Sequence, residues 1–371
     1  MSWTDLFRSR SGSSKADPTI RWFGKLPTYS DYYRSHSDAE WVVEFNSWVL
    51  KGFELYKSTE SSGPGVLARL PTAVAVVRLP KSKVTVFTSV LDYGGDMRGR
   101  PFPLLFYLGV PSSKVRGPGS AQFPSIDYLL GQLLALRREV ARFVNSPGNM
   151  DGVFGDRQLD LQDVTAGRED IGWQDAGKTI RMSDWFDRAR GTLPDGEARA
   201  WLDTTARWTE RIREQDGKSF EPTFRFPLAE RVSRETQVAG WLYWLERNMN
   251  LADRRLSLFV TGDPDAEPGQ LSVVARELMV DDFLLMTSVA DTLPFVDSLC
   301  GQSSKQSNQA SGAEGEANIR ASQQAAERQT GTEQASTPED EREDSGEAVV
   351  PPGIDEEMTW LDFVRAAHSA A

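Results

Sequence analysis

Length, composition and charge set the first limits on this chain. It has 371 residues, 39% of them apolar, and a formal net charge of −12. This length accommodates one large or two ordinary domains, and 11 Trp and 18 Phe supply an ample core. The negative charge argues against general binding to nucleic acid or to an anionic membrane, because both surfaces repel it. The only cysteine, Cys300, excludes an intrachain disulfide.

The N-terminal residues show no targeting signal. Residues Met1 to Ser14 carry scattered charges instead of the apolar core of a signal peptide. No stretch of the sequence reaches the roughly 18 apolar residues of a membrane-spanning helix. We therefore expect a cytoplasmic protein without direct membrane insertion.

The first part of the chain predicts one helix and then three strands. An arm at 1–18 precedes the segment 20–34, and apolar side chains then recur at i, i+3 and i+4 in a predicted helix at 38–57. Runs rich in Val and Phe, bounded by Pro, Gly and Asp, predict strands. These strands are at 72–79, 84–91 and 102–110, with a tight turn at 81–83 and a glycine-rich surface loop at 92–100.

The second part predicts further helices and two short strands. A strongly apolar helix is predicted at 125–144, and the segment from about 145 to 235 is predicted to be a long helical insertion. The other predicted elements are helices at 184–190, 197–214 and 237–248, strands at 255–261 and 271–275, and a helix or strand at 280–286. This order favours an α/β domain at 19–300, a layered sandwich with a central mixed β-sheet flanked by helices.

Composition changes abruptly after Cys300. Residues 301–350 contain no aromatic side chain and ten acids against four bases, so this acidic linker is predicted to be disordered. A short amphipathic helix is predicted within 351–371, where the apolar residues are Ile354, Met358, Trp360, Leu361, Phe363 and Val364. Such a helix on an acidic linker is typical of a ligand for a groove, either on this protein or on a partner.

The chain offers few of the residues that catalytic and metal sites need. Its two histidines are His36, beside the start of the predicted helix at 38–57, and His368 in the tail. One cysteine and two separated histidines cannot form the usual zinc ligand sets, and the glycine-rich loop at 94–100 lacks both common phosphate-binding patterns. We therefore expect no cofactor and no metal site, although 54 acids leave a site built from carboxylates alone open.

The most informative segment is Phe23-Gly24-Lys25-Leu26-Pro27. Gly24 accepts a positive φ or the close approach of another strand, whereas Pro27 fixes φ and stops strand pairing. A strand leading into a shaped turn is therefore predicted here.

Four elements in order resemble the TagF family, also called ImpM, of type VI secretion-associated proteins. The first is Trp22 to Pro27 followed by Ser30-Asp31-Tyr32, where the family motif reads roughly FGKLPxxGDF. Ser30 and Tyr32 depart from the Gly and Phe of that motif. The other three elements are Trp48-Val49-Leu50, then Ser89 to Asp92 with Gly99 to Leu104, and Ser257-Leu258-Phe259 after Arg254-Arg255.

The resemblance implies a cytoplasmic, non-enzymatic regulator that represses type VI secretion after translation. The implied partner is a forkhead-associated scaffold protein, with a functional link to a kinase and phosphatase pair. The charged residues expected to contact the partner lie around the motif turn and the arginine-containing loop that follows in the chain. They are Lys25, Asp31, Arg34, Arg98 and Arg100.

Other interpretations of these residues stay open. Lys25 is expected to be a solvated strand residue, and Asp31 and Arg100 are equally suited to a buried ion pair that fixes the fold. The alternative function is a hydrolase or phosphate-binding enzyme that uses Asp31, His36 and Arg100 in one cleft. In the acidic linker, three threonines are candidate phosphorylation sites for recognition by a forkhead-associated domain. They are Thr330, Thr332 and Thr337.

Overall fold

The computed structural model of the chain describes most of the predicted domain and one short segment near the C-terminus. The described residues are 17–35, 37–60, 70, 73–91, 95–114, 172–189, 205, 207, 208, 210, 212, 223–249, 256–262, 268–287, 290, 293, 296–298 and 358–366. The predicted helix at 125–144, the acidic linker at 301–350 and His36 lie outside these residues.

The described strands form one nine-stranded sheet with the order β2-β1-β5-β4-β3-β7-β8-β6-β9. Neighbouring strands are antiparallel, except that β6 and β9 are parallel. The sheet is therefore mixed, and its combination with helices places the chain in the α/β class. In chain order the strands are β1 (Asp17–Gly24), β2 (Tyr33–Arg34), β3 (Ala73–Arg78), β4 (Val84–Leu91), β5 (Leu104–Pro111), β6 (Thr223–Leu228), β7 (Ser257–Thr261), β8 (Gly269–Val274) and β9 (Val296–Ser298).

The longer described helices lie on both sides of this sheet. They are α1 (Glu40–Glu60), α2 (Gly172–Thr179), α3 (Met182–Ala189), α4 (Arg234–Asn248) and the C-terminal helix (Trp360–Ala366). Short 3₁₀ helices cover Ser112–Lys114 and Asp281–Met286. Among the described helices, none has the length and apolar character needed to cross a membrane.

The central strands are apolar at almost every position. Every residue of β4 is buried, and β3 is buried from Ala73 to Val77. The reason is that the sheet is covered on both faces, so successive side chains enter two different cores. Val74 and Val76 join one apolar cluster, whereas Ala75 and Val77 join the other.

One face of the sheet packs against α1 and the 3₁₀ helix Asp281–Met286. The ring of Phe45 on α1 lies 4.7 Å from that of Tyr107 on β5. Trp48 packs against Phe283 with ring centroids 5.7 Å apart, and its indole N–H donates to the Met279 carbonyl at 2.8 Å. Helix α1 confirms the helix predicted at 38–57. The apolar stripe that predicted it faces these aromatic groups.

The other face packs against α3, α4 and the C-terminal helix. Its core contains four fully buried indoles among the described residues, those of Trp185, Trp241, Trp244 and Trp360. Trp185 and Trp360 stack with centroids 4.8 Å apart, and Trp241 meets Trp360 edge-on at 5.0 Å. The sequence left open whether the C-terminal helix binds a groove on this protein or on a partner. In the structure it lies in a groove of this same chain.

Several predicted elements match the structure, and one segment differs. The strands predicted at 84–91, 255–261 and 271–275 correspond to β4, β7 and β8. The helical interpretation of 145–235 is wrong at 223–228, where β6 pairs with both β8 and β9. Strand β6 contains two buried polar residues, Thr223 and Arg225, and also Pro227. Polar residues and proline are uncommon in a buried strand, so the sequence did not indicate a strand here.

Tyr107 allows a test of the packing between α1 and the sheet. Its buried hydroxyl donates to the Asn46 side-chain oxygen at 3.0 Å, and burial raises the pKa of Tyr107 to about 12. Because the pKa of Tyr107 is higher in the folded than in the unfolded state, its protonated hydroxyl contributes fully to the free energy of unfolding below about pH 10. This contribution is lost as pH rises through the folded-state pKa.

We therefore expect Tyr107→Phe to cost about 1 kcal/mol at pH 7, through the lost hydrogen bond. The difference from wild type should shrink or change sign between about pH 10 and 12. Urea unfolding at a series of pH values measures both effects, and the pH 7 value is the internal control. Wild-type and variant stabilities that fall in parallel over this range would contradict the assignment.

Candidate functional site

The motif Phe23 to Pro27 lies where β1 ends and a turn begins. Gly24 has φ +153°, and a Cβ there would stand 2.1 Å from the Pro103 carbonyl oxygen. The end of β1 therefore touches the backbone before β5 directly, and only glycine leaves room for it. The turn closes when the Tyr29 N–H donates to the Leu26 carbonyl at 3.0 Å.

The turn binds the loop that precedes β5. The Met97 N–H donates to the Tyr29 carbonyl at 2.8 Å, and the Arg100 guanidinium donates to the Ser30 carbonyl. Two segments that are far apart in sequence and carry the strongest family resemblance therefore form one unit. We call this unit, residues 23–34 with 95–104, the motif interlock.

A buried carboxylate, Asp96, lies at the centre of the motif interlock. Its side chain has no exposed area, and its Oδ2 accepts from Lys25 Nζ at 3.3 Å and from Arg100 Nη2 at 2.7 Å. Its Oδ1 accepts from the backbone N–H groups of Arg98 at 2.9 Å and Arg100 at 3.0 Å. Both oxygens are thus saturated by charged or oriented donors, which is the condition under which a buried charge is stable.

The donors control the pKa of Asp96. Burial alone raises this pKa, because the ionised form loses water. Hydrogen bonds from the Arg100 backbone and guanidinium, from the Arg98 N–H and from the Lys25 ammonium outweigh burial. The pKa of the Asp96 carboxyl therefore lies well below its usual range, and the group is charged at any physiological pH.

The structure changes the roles expected for Lys25 and Arg100. Lys25 is only 6% exposed, so the expectation of a solvated residue is wrong. The reason is that its ammonium has a buried counter-charge and also lies 5.0 Å from the centre of the Tyr32 ring. The sequence suggested an ion pair between Arg100 and Asp31. Arg100 does form an ion pair, but its partner is Asp96.

An aromatic cluster covers the interlock on the side of α1. Phe23 stacks on Tyr32 at 5.3 Å and meets Phe102 edge-on at 5.5 Å. Phe102 in turn contacts Phe53 of α1 with centroids 4.8 Å apart. Burial of Phe23, Phe53 and Phe102 anchors the interlock to the domain core, so these residues act as scaffold.

Four of the five predicted contact residues are exposed, and one of them, Arg100, is also bound to Asp96. Asp31 is exposed and its Oδ1 accepts from the Tyr32 N–H at 2.8 Å, while Arg34 and Arg98 are also exposed. Apolar area accompanies them, because Tyr32 is 38% and Met97 64% exposed. The outer surface of the motif interlock thus combines charge with accessible apolar groups.

Arg34 also borders a groove between the sheet edge and α1. The groove has a volume of about 620 Å³. Strand β2, which carries Arg34, is the outermost strand at its end of the described sheet. The residues lining the groove are Arg34, Ser35, Ser37, Asp38, Val42, Val43, Asn46, Ser47 and Leu50.

The enzymatic alternative requires Asp31, His36 and Arg100 around one cleft. His36 lies outside the described residues, and the Arg100 guanidinium is already engaged by Asp96 and the Ser30 carbonyl. The groove beside α1 is lined by neither Asp31 nor Arg100. Within the described part of the chain, no group of three His, Cys, Asp or Glu side chains is arranged to hold a metal ion.

Sequence reasoning missed the central role of Asp96. The loop at 92–100 was expected to lie on the surface, but Gly95 and Asp96 are buried while residues 97–100 are exposed. The signal was present, since Asp96 and Gly99 occupy the first and fourth positions of a turn closed by a Gly99 N–H to Asp96 carbonyl bond of 2.8 Å. Asp and Gly favour these positions of a type I turn.

Comparisons with known proteins do not extend the motif evidence. The chain matches no model of a known protein family. It also has no significant match among curated proteins. The resemblance to the TagF family therefore depends on the motifs quoted above.

Gly24→Ala tests the contact on which the interlock depends. A Cβ at this position must displace the backbone at Pro103, so we expect a loss of about 3 kcal/mol or more in the free energy of unfolding. Gly99→Ala is the matched control, because Gly99 has φ +71° but nothing within 4 Å of an added Cβ. Its cost should be about 1–2 kcal/mol, from the left-handed backbone alone. Equal losses in urea unfolding would contradict the close contact.

Asp96→Asn tests the buried charge. The folded-state pKa is depressed, so the contribution of the carboxylate to stability is complete above about pH 4 and is lost as pH falls through the folded value. We expect the variant to unfold at lower urea concentration than wild type at pH 7, and this difference to shrink below about pH 4. Asp31→Asn, at an exposed carboxylate, is the control and should keep the acid sensitivity of wild type. An Asp96→Asn profile parallel to that of wild type would contradict the role of this charge.

Proposed function

We propose that this chain is a non-enzymatic regulatory protein of a type VI secretion system. It acts in the cytoplasm after translation, by binding a forkhead-associated scaffold component and controlling assembly. A kinase and phosphatase pair belongs to the same regulatory circuit. The proposal includes a layered sandwich architecture for the domain.

One observation carries the proposal. The two segments with the strongest family resemblance, residues 20–50 and 84–110, meet in the motif interlock, where Asp96 binds Lys25 and Arg100. The apolar and glycine positions of the motif shape this unit, while Asp31, Arg34 and Arg98 remain exposed. Such a division between a buried frame and exposed charges suits a surface that recognises a protein.

The chemistry of the exposed surface supports a protein partner. Arginine and aromatic side chains are enriched in protein interfaces, and exposed methionine adapts to different partners. Arg34, Arg98, Tyr32 and Met97 supply these groups on the interlock and its flanking strand. Charged residues at an interface rim also select partners by charge complementarity.

The proposed contact set is Asp31, Arg34 and Arg98, with Tyr32 and Met97 beside them. Lys25 supports these residues through Asp96 and is removed from the contact set. Arg100 also binds Asp96, but its side chain is 48% exposed and it stays a candidate contact beside them. A buried ammonium can reach a partner only if the interlock opens, which would leave the Asp96 charge uncompensated.

The double variant Arg34→Glu with Arg98→Glu tests this site. We expect it to lose pull-down of the forkhead-associated scaffold by at least about tenfold, because each change replaces a positive charge by a negative one at the contact. The unfolding temperature should stay close to that of wild type, since both side chains are exposed.

The matched control is Lys178→Glu with Arg188→Glu. It makes the same change in net charge on α2 and α3, at two other exposed side chains, and should keep wild-type pull-down. Full binding by the Arg34 and Arg98 variant would overturn the site assignment. Absence of binding by the wild-type protein would overturn the proposed function itself.

A further inference from the structure

The C-terminal helix contributes to a core that is otherwise built from distant parts of the chain. The last described strand before it, β9, ends at Ser298, and the helix begins at Trp360. Residues 299–357 connect the two. A connection of this length spans up to about 200 Å when extended, which is far more than the diameter of one domain.

The helix occupies a groove formed by α2, α3 and α4, which we call the C-terminal seat. Its walls include Ile180, Trp185, Gly240 and Trp241. The Trp360 ring stacks on Trp185 at 4.8 Å and meets Trp241 at 5.0 Å.

Backbone hydrogen bonds fix the helix in register with the seat. The Trp360 N–H donates to the Ile180 carbonyl at 2.7 Å, and the Met182 N–H donates to the Met358 carbonyl at 3.0 Å. Thr359 and Arg181 form the corresponding isolated antiparallel bridge. The seat therefore recognises the backbone entering the helix as well as its side chains, as peptide-binding grooves do.

The seat is shaped for the indole of Trp360. Gly240 lies in the middle of α4, and a Cβ there would stand 2.6 Å from Trp360 Nε1. Glycine inside a helix costs about 1 kcal/mol relative to alanine. Here its missing side chain provides the space that the ring fills.

The helix carries its own start signal. Thr359 Oγ1 accepts from the Asp362 N–H at 3.2 Å, and Asp362 Oδ2 accepts from the Thr359 N–H at 3.3 Å and hydroxyl at 2.6 Å. This reciprocal cap lies within four residues and does not involve the seat. The segment thus brings both its cap and its apolar anchors with it, as a peptide ligand does.

We propose that the C-terminal seat is a binding site that also accepts residues 358–366 of a second copy of this chain. Trp360 is the anchor, and the incoming helix replaces the chain's own. In the resulting exchanged complex, each chain places its C-terminal helix in the seat of the other. The contacts at each seat are the same as in the single chain, so the two forms differ only in the path of the connecting segment. The ratio of single chains to exchanged complexes then depends on two concentrations. One is the local concentration that the tether of residues 299–357 gives the chain's own helix, and the other is the concentration of other chains.

Two full-length variants each disable only one of the two binding elements, the helix or the seat. Trp360→Ala removes the anchor and leaves the seat, whereas Gly240→Leu fills the seat and leaves the helix. Each variant alone should sediment as a single chain at tens of micromolar. Their equimolar mixture should form a species with the mass of two chains, because the intact helix of one enters the open seat of the other. A double variant carrying both changes, mixed with Trp360→Ala, should form no such species.

A second measurement covers the case in which Trp360→Ala or Gly240→Leu does not fold. Trp360→Phe keeps an aromatic anchor and weakens the chain's own docking. A fluorescent peptide of residues 352–371 should bind this full-length variant at least about tenfold more tightly than it binds wild type, whose own helix competes. The same peptide with Trp360→Ala is the control and should not bind. A mixture that stays monomeric with both partners folded, or a folded Trp360→Phe chain that binds the peptide no better than wild type, would overturn the proposal.

Discussion

The buried carboxylate of Asp96 is the interaction on which the motif region depends. An isolated charge in a protein interior is strongly unfavourable, so the loop before β5 is stable only when Lys25 and Arg100 meet this group. That requirement joins the end of β1 to the loop and brings Gly24 against Pro103. The positions of the exposed charges at the surface follow from this arrangement.

The rest of the domain is held by pairing and packing between distant segments. β1 pairs with β5, and β3 pairs with β7 near the other end of the domain sequence. The C-terminal helix then closes one face with Trp360 between Trp185 and Trp241. Ordering these distant segments costs conformational entropy, which extensive burial of aromatic rings offsets. One region therefore exposes charged side chains at the surface, while another buries an apolar helix from the C-terminal segment.

Local patterns predicted the elements whose faces are simple. Helix α1 has an apolar stripe and β4 is a continuous run of Val, Phe and other strand formers, so periodicity and composition identified both. The strand β6 was missed because buried Arg225 and Pro227 are untypical of strands, and only its pairing with β8 makes it one. In the candidate site, five charged residues were predicted to contact a partner, from the motif turn and the arginine-containing loop, but the sequence did not show that Lys25 among them is buried.

The sequence by itself determined the composition of the core, several helices and strands, the turn at Gly24 and Pro27, and the resemblance to a family. These features depend on neighbouring residues and on their period along the chain. The tertiary structure alone decided that Asp96 is the partner of Lys25 and Arg100, and that the C-terminal helix lies in a groove of its own chain. The physical reason is that burial and counter-charge are properties of residues brought together in space, and spacing along the sequence does not specify which distant groups meet.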